Sequence, residues 1–418
     1  MANKAARKFF RERSDCRLCG SRRLIALWQF GKTPLANSYL KKSELKRKEV
    51  EAPLNIARCQ SCNLVQLTTV VDPKVLFSDY LYVSSTSPKF VAHFKAYARS
   101  ISERFDVTKK DLVVDVGSND GILLKHFAEL GVNILGIDPA ENVAEMANKR
   151  GLRTLAVFFN QAVAKDIRQK YGPAKIITAN NVFAHTDQVR DFAVSAKELL
   201  AEDGVFVFEV QYLKDLVEQN LFDIVYHEHL CYYHLTPLVP FFSSIGLEVF
   251  DVRRMEVHGG SLRVFVGRSG KHSISKNIGE FLKREKYLNT SKPYRAFMRR
   301  IKANEKKLRK LLKTIKKAGK RVVGYGAPAK ATTLSYVFKL TGNDLDYIVD
   351  DDKKIKQGLF MPGTHIPIRP PEALYSDQPD YCLVLAWNFA ALIVKNHERF
   401  TKQGGRFIIP VPSPKIIS

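Results

Sequence analysis

Residues 111–121 read DLVVDVGSNDG and indicate a strand, a glycine turn and the beginning of a helix. The apolar run before Gly117 is typical of a parallel strand that is buried on both faces. After Gly121, apolar residues between positions 122 and 130 follow the helical period. This order of elements begins a doubly wound α/β fold, in which the ligand binds at the carboxyl end of the strand.

The spacing of the glycines favours S-adenosylmethionine over NAD as the ligand. The turn has the pattern D-x-G-x-x-x-G from Asp115 onward and lacks the close glycine pair that lets a pyrophosphate approach the backbone. Asp138 ends a second predicted strand, at a separation from Asp115 that suits a hydrogen bond to ribose hydroxyls. An αβ unit with a merely structural turn is the alternative. We expect six residues to contact the cofactor: Asp115, Gly117, Asn119, Gly121, Asp138 and Asn180.

Helical and strand patterns alternate from residue 90 to residue 210, which indicates a parallel sheet covered by helices. Two later strands, 247–252 and 261–266, are expected to form an antiparallel hairpin. Such an alternation, closed by an antiparallel pair, is typical of the seven-stranded sheet of class I S-adenosylmethionine methyltransferases. We therefore predict an α/β, Rossmann-like methyltransferase fold for the middle of the chain.

Four of the six cysteines form two C-x2-C pairs near the N-terminus. Two such turns can converge four thiolates into the tetrahedron that Zn²⁺ prefers, and four protein ligands leave no position for a reactive water. A redox pair is disfavoured because neither motif opens a helix in a βαβ unit, whereas nucleic-acid binding by a basic zinc knuckle stays open. We expect a small N-terminal domain in which a structural zinc ion is bound by Cys16, Cys19, Cys59 and Cys62.

The composition is that of a globular protein with a large excess of positive charge. The 418 residues suit two or three domains, and 45% apolar with 26% charged residues excludes a disordered chain. No apolar run is long enough to span a membrane, and the basic N-terminus lacks the apolar segment of a secretory signal, so we expect a cytoplasmic protein. The formal net charge of +25 suggests an acidic partner, or lysine and arginine on solvated helix faces.

Five of the ten histidines fall in loops that follow predicted sheet elements, where an open sheet builds its site. The densest part of this group is the segment Tyr226-His227-Glu228-His229. A metal site, satisfied structural histidines and general acid–base chemistry are three interpretations of it. Acid–base chemistry beside a methyl donor favours methylation of carbon, because a C–H next to a carbonyl must first lose its proton.

The last third of the chain repeats the order of strand, glycine turn and helix. Residues 321–330 place Gly326 at the turn and Lys330 in the helix that follows, a combination that suits a phosphate group. Further strands are predicted at 345–349 and 381–386. We expect a second, smaller Rossmann-like domain, preceded by lysine-rich helices, and a substrate cleft between this domain and the first sheet. A purely structural βα turn is the alternative.

Nearly the whole chain resembles the sugar C-methyltransferases that methylate C3 of a nucleotide-linked 4-keto-deoxysugar. The resemblance rests on the cysteine pairs and on motifs at residues 62–67, 79–82, 117–121, 136–140, 180–185, 226–229, 258–263 and 324–330. It implies a zinc-binding domain at 1–75, a methyltransferase domain at 76–267 and a C-terminal Rossmann-like domain at 268–418.

The resemblance also implies roles for the acid–base cluster. His229 is the base that removes the proton from C3 of the sugar, and Glu228 assists or orients it. Tyr226 and His185 contact the sugar near its keto group. The methyl group then passes in line from sulfur to carbon, and alignment supplies much of the acceleration.

Substrate contacts are implied outside this cluster as well. Tyr80 and Tyr82 are expected to close the site from the N-terminal domain. Three further residues are expected to contact the nucleotide-linked sugar: His258, Gly326 and Lys330.

Two residues depart from the family pattern and leave the exact sugar open. Cys231 and His234 stand where serine is expected in relatives. Both can face the substrate, although simple packing is the preferred interpretation of Cys231.

The expected partner is a small molecule, a dTDP-keto-deoxysugar, bound by a monomer or a homodimer, with neither nucleic acid nor a membrane as a partner. Three other functions are compatible with the sequence. The first is a methyltransferase of another keto or hydroxy substrate, including an oxygen methyltransferase. The second is a zinc-knuckle nucleic-acid-binding protein. The third is an NAD-dependent oxidoreductase that uses the turn at 324–326, with Asp351 near the ribose.

Overall fold

The structure is a computed structural model that describes residues 9–77, 85, 88–257, 259–353 and 355–417. Within them, the strands are β1 Phe10–Glu12, β2 Leu24–Pro34, β3 Glu51–Cys59, β4 Val65–Leu67, β5 Thr69–Val71, β6 Leu112–Val116, β7 Asn133–Ile137, β8 Thr154–Leu155, β9 Ala174–Thr178, β10 Leu200–Gln211, β11 Cys231–Tyr232, β12 Leu247–Met255, β13 Ser261–Arg268, β14 Val322–Tyr325, β15 Ile348–Val349, β16 Ile368–Arg369, β17 Tyr381–Val384, β18 Arg406–Ile409 and β19 Lys415–Ile417. The α-helices are α1 Pro73–Phe77, α2 Pro88–Arg104, α3 Ile122–Glu129, α4 Glu141–Lys149, α5 Gln161–Tyr171, α6 Val189–Leu199, α7 Leu213–Glu218, α8 Leu235–Ser243, α9 Asn277–Glu285, α10 Lys292–Lys317, α11 Ala329–Val337, α12 Ala373–Ser376, α13 Ala390–Asn396 and α14 Glu398–Lys402.

The central sheet has seven strands in the order β12-β13-β10-β9-β6-β7-β8. The strands from β10 to β8 are parallel, whereas β13 runs antiparallel to both β10 and β12. Every residue of β6 is buried, as expected for a parallel strand that helices cover on both faces. The prediction of a seven-stranded sheet closed by an antiparallel hairpin is confirmed.

The order of the strands reverses at β6. The next strands in the chain, β7 and β8, lie on one side of β6, and β9 and β10 lie on the other. The carboxyl ends of β6 and β9 therefore flank a crevice, which is where open α/β sheets bind their ligands.

An antiparallel sheet of order β11-β4-β3-β2 forms the N-terminal unit. Its strand β11 comes from the middle of the chain and pairs with β4, placing Cys231 opposite Gln66. The amide of Leu67 also donates to the carbonyl of Leu230 at 2.9 Å. This pairing attaches the loop that carries His229 to the N-terminal sheet. Cys231 is buried in the pairing, which confirms the packing interpretation of this residue.

The C-terminal unit is a sheet of order β16-β15-β14-β17-β18-β19, in which only β19 is antiparallel. This confirms the prediction of a second Rossmann-like unit. The long helix α10 buries its apolar face and exposes most of its lysines and arginines. Trp28 of β2 packs against the rings of Tyr294 and Phe297 on that apolar face, with centroids 5.9 and 4.7 Å away. Among the described residues, no helix has the length and apolar character needed to cross a membrane.

Three arginines of the N-terminal segment meet Asp187, which lies in the loop before α6. Arg17 Nε and Arg13 Nη1 lie 2.9 and 3.0 Å from Asp187 Oδ1, and Arg11 also pairs with this carboxylate. The Arg17 side chain is fully buried, and removal of the partner of a buried charge costs about 3 to 5 kcal/mol. This cluster therefore holds the N-terminal unit against the central sheet.

Candidate active site

The four N-terminal cysteines converge on one point. Their sulfur atoms all lie within 4.8 Å of one another. Cys16 Sγ lies 3.5 Å from Cys62 Sγ, and Cys19 Sγ lies 3.6 Å from Cys59 Sγ. A tetrahedral Zn²⁺ with Zn–S bonds of about 2.3 Å needs sulfur separations of about 3.8 Å, so the set fits this ion. Elsewhere in the described part of the chain, no three histidine, cysteine or carboxylate side chains are placed to share a metal.

Both cysteine pairs fold into the same tight knuckle. The amide of Gly20 donates to the Cys16 carbonyl at 2.9 Å. In the second pair, the amide of Asn63 donates to the Cys59 carbonyl at 3.0 Å. Cys16 Sγ and Cys62 Sγ share a hydrogen bond, which lowers the pKa of the Cys16 thiol to about 5 and raises the pKa of the Cys62 thiol. A low thiol pKa favours the thiolate, which is the form that binds zinc.

The turn after β6 requires glycine at its first position. Gly117 has a left-handed φ of 71°, and a Cβ there would lie 2.2 Å from Val182 Cγ2. Its amide donates to the Ile137 carbonyl at 2.7 Å, which brings the turn beside the end of β7. Gly121 has another role: it precedes α3 and packs against Leu152, so it shapes the turn without lining the crevice.

Asp138 lies at the carboxyl end of β7 and accepts two backbone hydrogen bonds. The Asn119 amide donates to its Oδ2 at 2.9 Å, and the Ala140 amide donates to its Oδ1 at 3.0 Å. Burial raises the pKa of Asp138, and the two amides oppose this shift. Each carboxylate oxygen has a second lone pair, so the group can also accept hydrogen bonds from ribose hydroxyls. This pair of acceptor oxygens fits the hydroxyl groups of the ribose of S-adenosylmethionine.

Asp115 and Asn180 complete the crevice at the ends of β6 and β9. Thr178 Oγ1 donates to Asp115 Oδ1 at 2.6 Å. Burial raises the pKa of Asp115 to about 7, and the nearby charge of Asp138 adds to this rise. The side-chain oxygen of Asn180 accepts a hydrogen bond from the Glu209 amide at 3.1 Å. The structure therefore brings five of the six residues predicted to contact the cofactor into the lining of the crevice. Gly121 is the sixth, and it does not line the crevice.

The crevice opens into a cleft of about 1580 Å³. Pockets for one small molecule usually measure about 300 to 1,000 Å³, so this cleft has room for a cofactor and a second ligand. The N-terminal, central and C-terminal units all contribute to its walls, through residues that include Asn37, Tyr39, Asp138, Asn180, His185, Tyr226, Glu228, His229, Gly326, Lys330, Asp350 and Trp387.

His229 is held in one tautomer. Its Nδ1 lies 2.6 Å from the Ile224 carbonyl oxygen, and an imidazole can make this contact only with a proton on Nδ1. In the neutral ring, Nε2 therefore carries the basic lone pair. The centroid of the ring lies 4.1 Å from that of Tyr226 and 5.0 Å from that of His185.

His185 is a neutral neighbour of this base. Burial lowers the pKa of His185 well below its usual value, and the proximity of His229 lowers it further. The Phe77 ring stacks on the imidazole of His185, and the centroids of the two rings are 6.0 Å apart. A neutral imidazole can donate one hydrogen bond and accept another, so His185 can contact a polar ligand without adding charge to the cleft.

Glu228 lies beside His229 on the cleft wall and is only 4% exposed. Asn37, from the N-terminal unit, donates a hydrogen bond from Nδ2 to Glu228 Oε1 at 3.1 Å. Four residues were predicted to carry the chemistry, and all of them line the same cleft: His185, Tyr226, Glu228 and His229.

Two other histidines of the predicted cluster are structural. His227 Nε2 lies 3.1 Å from the Ala52 carbonyl oxygen, and burial lowers the pKa of His227 to about 4. His234 is fully buried outside the cleft lining, and burial lowers its pKa to about 3. The expectation that His234 can face the substrate is wrong, because the segment turns it into the interior.

The C-terminal sheet repeats the construction of the glycine turn that follows β6. The Gly326 amide donates to the Val349 carbonyl at 2.7 Å. Asp350, at the end of β15, then accepts from the amides of Ala327 and Asp352 at 2.6 and 2.9 Å. A strand-end carboxylate is thus fixed by a glycine turn in the same way as in the central sheet.

Lys330 lies in the cleft beside this second turn. Its Nζ donates to Asn388 Oδ1 at 2.5 Å and stands 3.9 Å from the centre of the Trp387 ring. Burial lowers the pKa of Lys330 to about 8, and the charge of Asp223 opposes the shift. The Trp387 indole N–H donates to Asp223 in turn. At neutral pH this lysine is mostly charged, which suits an anionic ligand.

Sequence reasoning assigned no role to four residues of the cleft: Asn37, Tyr39, Asp350 and Trp387. The sequence did contain a pattern that could have identified Asp350, because it ends a strand after a glycine turn as Asp138 does. Asn37 and Tyr39 belong to no such motif and reach the cleft through packing between units.

Three of the predicted substrate contacts fall at positions that the structure does not describe. Tyr80, Tyr82 and His258 lie outside the described residues, so their roles stay predictions.

Comparison with protein families gives three matches along the chain. A zinc binding domain matches residues 16–77, a methyltransferase domain matches residues 91–252, and a C-methyltransferase C-terminal domain matches residues 256–412. The C-methyltransferase NovU from Streptomyces niveus is 36% identical over 407 residues, which are 97% of this chain and 97% of that protein.

Two solved structures similar to this chain each match less than half of it. A SAM-dependent methyltransferase from Anabaena variabilis has 13% identity and a TM-score of 0.35, with 41% of this chain and 83% of that chain covered. The CcbJ methyltransferase from Streptomyces caelestis has 15% identity and a TM-score of 0.35, with 42% and 90% covered.

Replacement of Gly117 by alanine is expected to weaken the binding of S-adenosylmethionine at least about tenfold, because the new Cβ collides with Val182 and shifts the turn. Gly319→Ala is the matched control, since Gly319 has the same φ of 71° but no atom within 4 Å of a Cβ. Isothermal titration calorimetry of both variants measures the difference. Equal affinities for the two variants would contradict the assignment of this turn to the cofactor.

Loss of one cysteine ligand is expected to release the zinc ion and lower the melting temperature, because ion binding contributes to folding. Cys59→Ser tests this, with Cys382→Ser as the control because Cys382 is a buried cysteine of the C-terminal sheet. Atomic absorption gives the zinc content of each variant. Wild-type zinc content in Cys59→Ser would show that the cysteine cluster is not the zinc site.

Proposed function

This chain belongs to the sugar C-methyltransferase family, and we propose that it methylates C3 of a dTDP-linked 4-keto-deoxysugar through a base-generated enolate. The protein is an S-adenosylmethionine-dependent C-methyltransferase with a zinc-binding N-terminal unit. The substrate and the roles of the individual residues are the parts that we propose.

The tautomer of His229 is the observation that carries this proposal. A carbon atom becomes a nucleophile toward a methyl donor only after it loses a proton, so the site needs a base. The hydrogen bond from Nδ1 to Ile224 leaves Nε2 as the basic atom of His229, on the wall of a cleft large enough for two ligands. An oxygen nucleophile depends less on such a base.

In the proposed reaction, His229 Nε2 takes the proton from C3, and the electron pair of the C–H bond moves toward the C4 keto oxygen. His185 and Tyr226, whose rings adjoin His229, would donate hydrogen bonds to the enolate oxygen. Bound S-adenosylmethionine supplies the methyl group as an electrophilic sulfonium. The charge of Glu228 stabilises the imidazolium that remains on His229.

We assign the cofactor to the crevice of the central sheet. Asp138 would hold the ribose hydroxyls, and the turn that contains Gly117 and Asn119 would pass beside the methionine part. Asp115 and Asn180 would line the base of this site. The support comes from the backbone hydrogen bonds that fix Asp138 and from the presence of Gly117 and Asn119 in the lining of the cleft.

We assign the nucleotide part of the substrate to the facing C-terminal unit, residues 268–418. The turn at Gly326 precedes α11, whose N-terminus favours a phosphate. Lys330 would add its positive charge from the first turn of that helix, and Asp350 would accept hydrogen bonds from a sugar hydroxyl. The support comes from the likeness of this turn to the cofactor turn.

Replacement of the base tests the proposal. His229→Asn is expected to reduce methyl transfer by about 10² to 10⁴-fold, which is the usual contribution of a general base, while S-adenosylmethionine still binds. His272→Asn is the matched control, because His272 also contacts a backbone carbonyl but lies outside the cleft lining. Mass spectrometry of reactions with a panel of dTDP-4-keto-deoxysugars measures the methylated product.

The outcomes separate the substrate from the mechanism. No methyl gain by the wild-type protein with any sugar would reject the proposed substrate and direct the search to other small keto or hydroxy acceptors. Full activity of His229→Asn would reject the proposed base and favour an oxygen nucleophile.

A further inference from the structure

A segment of the zinc-binding unit enters the cleft beside the proposed catalytic group. It follows β2 and contains Asn37 and Tyr39, both of which line the cleft. The backbone of Asn37 is left-handed with a φ of 63°, a conformation that asparagine adopts more readily than most residues. This conformation turns the chain so that the segment crosses from the N-terminal sheet toward the C-terminal unit.

The segment is fixed at both of its ends. Before it, Pro34 pairs with Glu51 in the antiparallel ladder of β2 and β3. After it, Leu40 and Phe360 of the C-terminal unit exchange two backbone hydrogen bonds, of 3.0 and 2.9 Å. The position of the Asn37 side chain is therefore set by two units at once.

Two polar side chains of this segment join the other units across the cleft. Asn37 Nδ2 donates to Glu228 Oε1 at 3.1 Å. The Tyr39 hydroxyl donates to the Ala327 carbonyl, in the second glycine turn. Burial raises the pKa of Tyr39 well above its usual value, and the charges of Asp350 and other nearby carboxylates add to the rise, so the phenol keeps the proton that it donates.

The Asn37 contact has a chemical consequence for Glu228. An amide N–H that donates to a buried carboxylate fixes its orientation and stabilises its charge without adding a charge of its own. Glu228 needs that orientation if it is to stabilise the imidazolium of His229, its neighbour in the chain. A misplacement of about 1 Å in such a group can reduce a rate by about 10²-fold.

We infer that Asn37 is a positioning residue for the methyl transfer, acting through Glu228, so that the zinc-binding unit helps to orient a catalytic group. The inference rests on the proposed function for its effect on rate. The contact between Asn37 and Glu228 does not depend on that function and can be tested separately.

Two variants separate the hydrogen bond from the shape of the side chain. Asn37→Gly keeps the left-handed backbone without strain and removes the amide. Asn37→Asp keeps the shape but replaces the N–H donor with a carboxylate, which repels Glu228 when it is ionised. Both are expected to lower kcat by about 10 to 100-fold, while the Kd for S-adenosylmethionine changes by less than about twofold. Gln378→Gly is the matched control, because Gln378 is exposed and also left-handed, with a φ of 45°.

The decisive comparison repeats Asn37→Gly in a Glu228→Ala background. If Asn37 acts through Glu228, the second substitution causes no further loss of kcat. Equal losses in both backgrounds, or a wild-type kcat in Asn37→Asp, would overturn the inference, because a residue that only fills space would behave in that way.

Thermal unfolding of the wild-type protein, Asn37→Gly, Glu228→Ala and the double variant tests the contact without any substrate. The loss of melting temperature caused by Asn37→Gly is expected to shrink in the Glu228→Ala background, because the hydrogen bond is already absent there. If the wild-type protein methylates no sugar, the proposed function fails. The comparison of melting temperatures then tests on its own whether Asn37 acts on Glu228. Equal losses of melting temperature in the two backgrounds would then overturn the inference.

Discussion

The hydrogen bond from His229 to the Ile224 carbonyl is the contact on which the proposed chemistry depends, because it selects the nitrogen that acts as the base. Ile224 ends a short 3₁₀ turn whose position is set by the C-terminal unit, since Thr333 of α11 donates to the Val225 carbonyl at 2.8 Å. Beyond His229, the same loop continues into β11, which belongs to the N-terminal sheet. The orientation of one imidazole in the central unit therefore depends on packing against both other units. This dependence gives a physical reason for a methyltransferase of three units in place of one.

The cleft faces two glycine turns that are built alike. In each, a glycine amide bonds to the neighbouring strand, and the carboxylate at the end of that strand accepts two backbone hydrogen bonds. Asp138 and Asp350 therefore stand at corresponding positions on opposite units. In the proposed function, such a pair of turns would hold the adenosine part of the methyl donor and the nucleotide part of the substrate at one cleft, with the reacting groups meeting beside His229. Proximity of this kind is a large part of catalysis when two substrates must be aligned.

Local sequence was sufficient for the parts of the structure that depend on local geometry. The cysteine knuckles, the turn at Gly117 and the closing hairpin were predicted because residue type and spacing determine each of them. Strand lengths were less well predicted: the strand expected at 345–349 pairs only over Ile348–Val349, because ladder length depends on neighbouring strands. The difference between His227 and His229 could not be predicted, since their directions follow from the β11 pairing. Asn37 was missed for the same reason, because its partner lies far away in the chain and no local pattern marks the contact.

Hydrogen exchange at C3 of the substrate tests the central claim most directly. The unreacted dTDP-4-keto-deoxysugar is incubated in deuterated water with the wild-type protein or with His229→Asn, with S-adenosylhomocysteine in place of the methyl donor, and is then analysed by mass spectrometry. If His229 generates the enolate, one deuterium enters C3 with the wild-type protein, and in His229→Asn the rate of exchange falls to the level without enzyme. Exchange that persists unchanged in His229→Asn would contradict the claim that this histidine generates the enolate.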